Sequence, residues 1–139
     1  LFCDDQVLVA HVGDSRVYVA RDGKIRQLTE DHSLLNDYIK MKRIAPEDVD
    51  RFPHKNVIVR ALGMKETVAV DVLREEPHIG DIYLLCSDGL SGMVDSSEMA
   101  KLLAAERDLD RCCERLVEMA NAAGGVDNIT VGLARLEPQ

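Results

Sequence analysis

Two-residue alternation at the start of the chain gives way to helical spacing and later returns, and these changes of period lay out the elements. Val7-Leu8-Val9-Ala10-His11-Val12 and Val17-Tyr18-Val19-Ala20 are short runs rich in β-branched residues, which suit a pleated, half-buried strand. Asp22-Gly23 before Lys24-Ile25-Arg26-Gln27-Leu28 is a two-residue hairpin turn, so three consecutive strands are expected. From Asp31 onward Leu34, Leu35, Tyr38 and Ile39 share one side of a helix, and Ala45-Pro46-Glu47-Asp48 restarts a shorter one. Residues from about His32 to Arg51 thus read as a helical insertion between strands. The segment from His54 to Gly63, apolar but bounded by Pro53 and Gly63, stays open between helix and extended chain.

The second half repeats the theme with longer helices. Val68 to Val72 alternates like a strand, Ile79-Gly80-Asp81 turns the chain, and Ile82 to Cys86 is a continuous apolar run, expected to be a strand buried on both faces. Asp95, with Glu98 three residues on, is expected to cap a helix that carries Met99, Leu102 and Leu103 inward. Leu109, Cys112, Cys113, Leu116, Val117 and Ala120 form an apolar stripe opposite Arg111, Glu114, Arg115 and Glu118, with Gly124 placed to end the helix. Ile129, Val131 and Leu133 alternate as a last strand. Strands, paired helices and a closing strand make an α+β layered domain without internal repeats.

Composition narrows the partners. The chain has 139 residues, 46% of them hydrophobic, enough for one compact domain or a large piece of one. Its 17 basic and 25 acidic side chains leave a net charge of -8 without a basic run, which argues against nucleic acid and favours cations. The apolar stretches are too short and interrupted to span a bilayer, so no membrane association is expected. Cys3, Cys86, Cys112 and Cys113 form no C-x-x-C pair; buried, reduced thiols in a cytoplasmic protein account for them most simply. Met41, Met64, Met93, Met99 and Met119 read as core filler.

Three aspartates carry the candidate chemistry: Asp14 in Val12-Gly13-Asp14-Ser15-Arg16, Asp88 in Cys86-Ser87-Asp88-Gly89, and Asp127 in Gly125-Val126-Asp127-Asn128. Each stands beside an apolar run that can hold its backbone rigidly, as a hard cation such as Mg²⁺ or Mn²⁺ requires of carboxylate ligands. Singly, each is ordinary turn chemistry. Arg16 and Arg60 could grip a phosphate, but structural ion pairs are the preferred reading in an acidic chain. His32 invites a general-acid role; a structural one is preferred, and His11, His54 and His78 are expected to be surface or packing residues.

The ordered set Val-Gly-Asp-Ser-Arg, Arg-Ala-Leu-Gly, Leu-Cys-Ser-Asp-Gly-Leu and Gly-Gly-Val-Asp-Asn-Ile-Thr-Val resembles the metal-dependent PPM (type 2C) serine/threonine protein phosphatases, bacterial members above all, from about Val7 to Leu136. The resemblance implies part of an α-β-β-α sandwich, two antiparallel sheets flanked by helices, with the insertion at about 32–63 as the family's flap. It implies hydrolysis of phosphoserine and phosphothreonine in proteins at a binuclear Mn²⁺ or Mg²⁺ centre, in opposition to a serine/threonine kinase. Asp88 and Asp127 would hold one ion, Asp14 with Asp88 a third, weaker one, and Asn128 would orient Asp127. The family's Asp-Gly-Met-Gly-Gly run, which supplies the aspartate bridging both ions, does not occur here. The chain is therefore expected to be the C-terminal portion of such a domain, to carry only part of the site and no assignable catalytic residue, to be inactive alone, and to dimerise through exposed strand edges. The alternative is a non-catalytic regulatory or partner-binding domain of the same fold.

Overall fold

The computed structural model describes residues 1–3, 5–44, 48–49, 52 and 57–138. Two antiparallel sheets are formed. The first contains β1 (Phe2–Cys3), β2 (Gln6–His11) and β5 (Asp71–Glu75) in the order β1-β2-β5. In the second, β3 (Arg16–Arg21), β4 (Lys24–Gln27), β6 (Ile82–Cys86) and β7 (Val131–Arg135) lie in the order β4-β3-β6-β7. The helices are α1 (Leu34–Lys40), α2 (Asp88–Ser91), α3 (Ser96–Ala105) and α4 (Leu109–Ala122).

Alternation along the strands decides what packs on what. Tyr18, Ala20, Ile82, Leu84 and Cys86 share one face of the second sheet and bury against Leu90, Met99, Leu103, Cys112, Leu116 and Ala120 of the helices. Val19 and Tyr83 point the other way, onto Val7 of the first sheet, as the two-residue strand period requires. Helices cover only the second sheet among the described residues. On the outer side of the first, Val72 is 65% exposed.

Local chemistry explains the joints. Asp22 and Gly23 both take positive φ, 51° and 73°, and Arg21 pairs with Lys24 across them, the geometry that lets a two-residue turn follow the strand twist. Asp108 caps α4 by accepting from the Asp110 and Arg111 N–H groups, and the Ser33 side chain accepts from Asn36 N–H at the start of α1. Asp81, 1% exposed, receives the Arg21 guanidinium at 2.7 and 2.6 Å and the His78 N–H at 2.8 Å. Burial alone pushes this carboxyl upward, but the Arg21 fork and the His78 N–H outweigh it and hold it below its usual range.

Several expectations need correction. The Asp95 side chain makes no cap hydrogen bond; its backbone carbonyl accepts from Glu98 and Met99 instead. The strand expected at 68–72 lies at Asp71–Glu75, because its register is set by pairing with β2, His11 opposite Asp71. Strand β6 is not buried throughout, since Leu85 is 49% exposed on the face toward the first sheet. Met41 and Met64 are exposed rather than core filler, while Met99 is fully buried. Cys3 is exposed and Cys113 half-buried, so only Cys86 and Cys112 are buried thiols; all four are free. Ala45, Pro46 and Glu47 of the short helical restart, and His54, lie outside the described residues.

Candidate metal centre

Strand register brings the three aspartates together. Arg16 of β3 pairs with Cys86 of β6, and Cys86 with Val131 of β7. Asp14 stands two residues before the first of these, Asp88 two after the second and Asp127 four before the third. All three loops therefore emerge at one end of the same sheet. Asp14, Asp88 and Asp127 line a single cavity of about 410 Å³, whose wall also includes Arg16, Asp31 and Ser33.

Each loop is held in its own way. Gly13 takes φ of 113°, a conformation that only glycine adopts without strain. Its N–H donates to His32 Nδ1 at 3.0 Å, and its carbonyl accepts the His32 N–H at 2.8 Å. Because Nδ1 is an acceptor, the neutral ring carries its proton on Nε2 and donates to Asp71 Oδ2 at 3.0 Å. Arg60 Nη1, 3.0 Å from the same nitrogen, binds Asp71 Oδ1 at 2.7 Å. The ring's hydrogen bond, then Arg60's, hold the Asp71 carboxyl below its usual range. His32 thus braces the turn that carries Asp14, in line with the structural reading preferred for it.

Arg16 is similarly committed. Its guanidinium forks onto Asp31 at 2.9 and 2.6 Å and donates to Tyr18 Oη at 3.1 Å. Asp31, not singled out from the sequence, reaches the cavity wall already paired; a lone Asp in a loop carries no signal for this. At the third loop the Asn128 backbone N–H, not its side chain, donates to Asp127 Oδ1 at 2.7 Å. His11 is 7% exposed, and neither ring nitrogen finds a hydrogen-bond partner among the described residues. The Ser15 carbonyl lies near enough to favour the charged ring but outside bonding geometry; burial first, then neighbouring His32, lower the His11 pKa.

The donor set is all carboxylate oxygen, which suits Mg²⁺ or Mn²⁺ rather than a soft metal. Burial, then the charge of Asp88, push the Asp14 carboxyl above its usual range, a repulsion that a dication between them would relieve. Among the described residues no group of three or more His, Cys, Asp or Glu side chains closes into a metal-holding cluster. The aspartates face one space without converging on one point.

The model of the family described as Protein phosphatase 2C matches residues 1–45. "Serine/threonine phosphatase stp" of Listeria monocytogenes is 42% identical over 131 residues, 94% of this chain and 52% of that protein. The solved serine/threonine phosphatase of S. agalactiae superimposes with a TM-score of 0.93 at 37% identity, over 98% of this chain and 56% of that one. The chain belongs to the PPM (type 2C) phosphatase family. A further solved structure, the catalytic domain of the serine/threonine protein phosphatase PstP in complex with two manganese ions, matches 99% of this chain and 56% of its own with a TM-score of 0.85 and 35% identity. The chain spans about half the length of the curated relatives it matches.

Proposed function

We propose that this chain carries part of the binuclear centre of an Mn²⁺- or Mg²⁺-dependent phosphatase that hydrolyses phosphoserine and phosphothreonine in proteins, opposing a serine/threonine kinase. The observation that carries this reading is the meeting of Asp14, Asp88 and Asp127 on one cavity. Asp88 and Asp127 are the ligands of one ion, Asp14 with Asp88 those of a third, weaker one, and Asn128 orients Asp127 through its N–H. When bound, the ions supply an activated water and neutralise phosphate oxygens. This chain's residues hold the carboxylates apart and keep Arg16 and His32 tied to structural partners. The insertion at about 32–63 is the flap: His32 Nε2–H and Arg60, donating to the Asp71 carboxylate at 3.0 and 2.7 Å, tie its base to the first sheet.

The remaining ligands of the centre are proposed to come from sequence that the relatives have and this chain does not. The absence of a closed ligand cluster among the described residues is what the alternative, a non-catalytic partner-binding domain, rests on. One experiment separates them. In the full gene product, Asp88→Asn abolishes Mn²⁺-dependent turnover of a phosphothreonine peptide; turnover equal to the unsubstituted protein overturns the metal assignment, and no turnover in the unsubstituted protein favours the alternative.

A further inference from the structure

The residues on either side of Asp88 touch the backbone of the segment that follows Asp127. The β6–β7 ladder ends at Cys86 opposite Val131. One residue beyond it, the Ser87 N–H still donates to the Thr130 carbonyl at 3.1 Å. The chain then turns into α2, so a backbone acceptor is lost just where Thr130 needs one. The Ser87 hydroxyl replaces it: Oγ accepts the Thr130 N–H at 3.0 Å and donates to the Asn128 carbonyl at 2.9 Å. One side chain therefore satisfies two backbone groups of the segment that follows Asp127.

On the other side of Asp88, buried Gly89 lets the same segment come close. A Cβ built at residue 89 would lie 2.3 Å from the Asn128 carbonyl oxygen and 2.9 Å from its carbon, far inside van der Waals contact and against backbone that has no rotamer to yield. The Asn128 carbonyl thus sits between the Ser87 hydroxyl and the bare Gly89 Cα.

We propose that Ser87 and Gly89 form a latch, two positioning residues that fix the spacing of Asp88 and Asp127 and so tune the affinity of the ion these carboxylates share. The proposal rests on the phosphatase reading of the site. Residues that orient ligands typically change metal affinity by about 10- to 100-fold when removed. Ser87→Ala deletes the hydroxyl, Gly89→Ala pushes the two loops apart, and Ser87→Thr keeps the hydroxyl in place.

The test is Mn²⁺ titration by isothermal calorimetry of the full gene product without substrate, beside thermal unfolding in EDTA. Ser87→Ala and Gly89→Ala are expected to weaken Mn²⁺ binding by about 10-fold or more, with Ser87→Thr close to the unsubstituted protein. Unchanged affinity in Ser87→Ala overturns the latch, as does a Ser87→Thr that binds as poorly as Ser87→Ala. An affinity loss matched by an equal loss of metal-free stability reduces Ser87 to a packing residue and overturns it too. If Gly89→Ala does not fold, the two serine variants decide alone. Failure of the unsubstituted protein to bind Mn²⁺ removes the phosphatase reading itself, and the latch with it.

Discussion

Replacing His32 separates a brace from a catalyst. The ring is 5% exposed, its Nδ1 accepts the buried Gly13 N–H and its Nε2 reaches Asp71. In His32→Ala the Gly13 N–H is left buried without a partner, which costs about 1–3 kcal/mol, and the emptied ring volume adds a cavity cost. The Asp71 contact adds little, since that carboxylate is 49% exposed and retains Arg60. The expected total is about 3 kcal/mol, a fall of roughly 10 °C in melting temperature for a chain of this size. An Asn side chain can place its amide oxygen where Nδ1 was, so His32→Asn recovers about half of the loss. Differential scanning calorimetry on both variants, with phosphopeptide turnover of the same substitutions in the full gene product measured alongside, provides the check. A His32→Asn protein that melts like the unsubstituted one yet has lost turnover by more than about 100-fold would refute the bracing role and restore the general acid.

Asp81→Asn breaks a carboxylate fork whose one end is 1% exposed and is expected to destabilise by about 3 kcal/mol in urea titration. Because the folded carboxyl lies below its usual range, its contribution is complete above the unfolded value of about 3.9 and is lost as pH falls through the folded one; the variant's stability should therefore fall less between pH 5 and pH 3 (roughly), and equal slopes would contradict the pairing. His11→Leu removes two buried unpartnered nitrogens and is expected to raise the stability of this chain by about 1 kcal/mol, with a destabilisation of that size showing that the ring has a hydrogen-bonded role. The chain by itself is expected to self-associate, because β7 is an edge strand and Val70 and Val72 are 50% and 65% exposed; a single monomer boundary in sedimentation velocity at micromolar concentration would count against this.

Legibility in the sequence followed the range of the interactions. The β3–β4 hairpin was readable because Asp22-Gly23 is a local demand for two positive φ angles, and α4 because its stripe of Cys112, Leu116 and Ala120 spans several turns. The strand at 71–75 was misplaced by three residues because its limits are set by His11, sixty positions away in the chain. Helix α2, four residues long, is too short for any period to show. The cap at Asp95 looked right in sequence but is a backbone contact, whereas Asp108 and Ser33 cap with their side chains. At the site, the three aspartates were visible because each sits in its own short motif. The Arg16–Asp31 fork, the His32 brace and the Ser87 bridge were not, since each joins residues whose meeting depends on the register of two or more strands.

The central claim is that Asp88 and Asp127 hold a metal ion and that Asp14 shares another with Asp88. Anomalous diffraction at the manganese edge, from crystals of the full gene product grown with Mn²⁺, tests it most directly. One peak is expected within coordination distance, about 2.1 Å, of carboxylate oxygens of both Asp88 and Asp127, and a weaker one beside Asp14. Manganese peaks that leave these carboxylates unligated would contradict it.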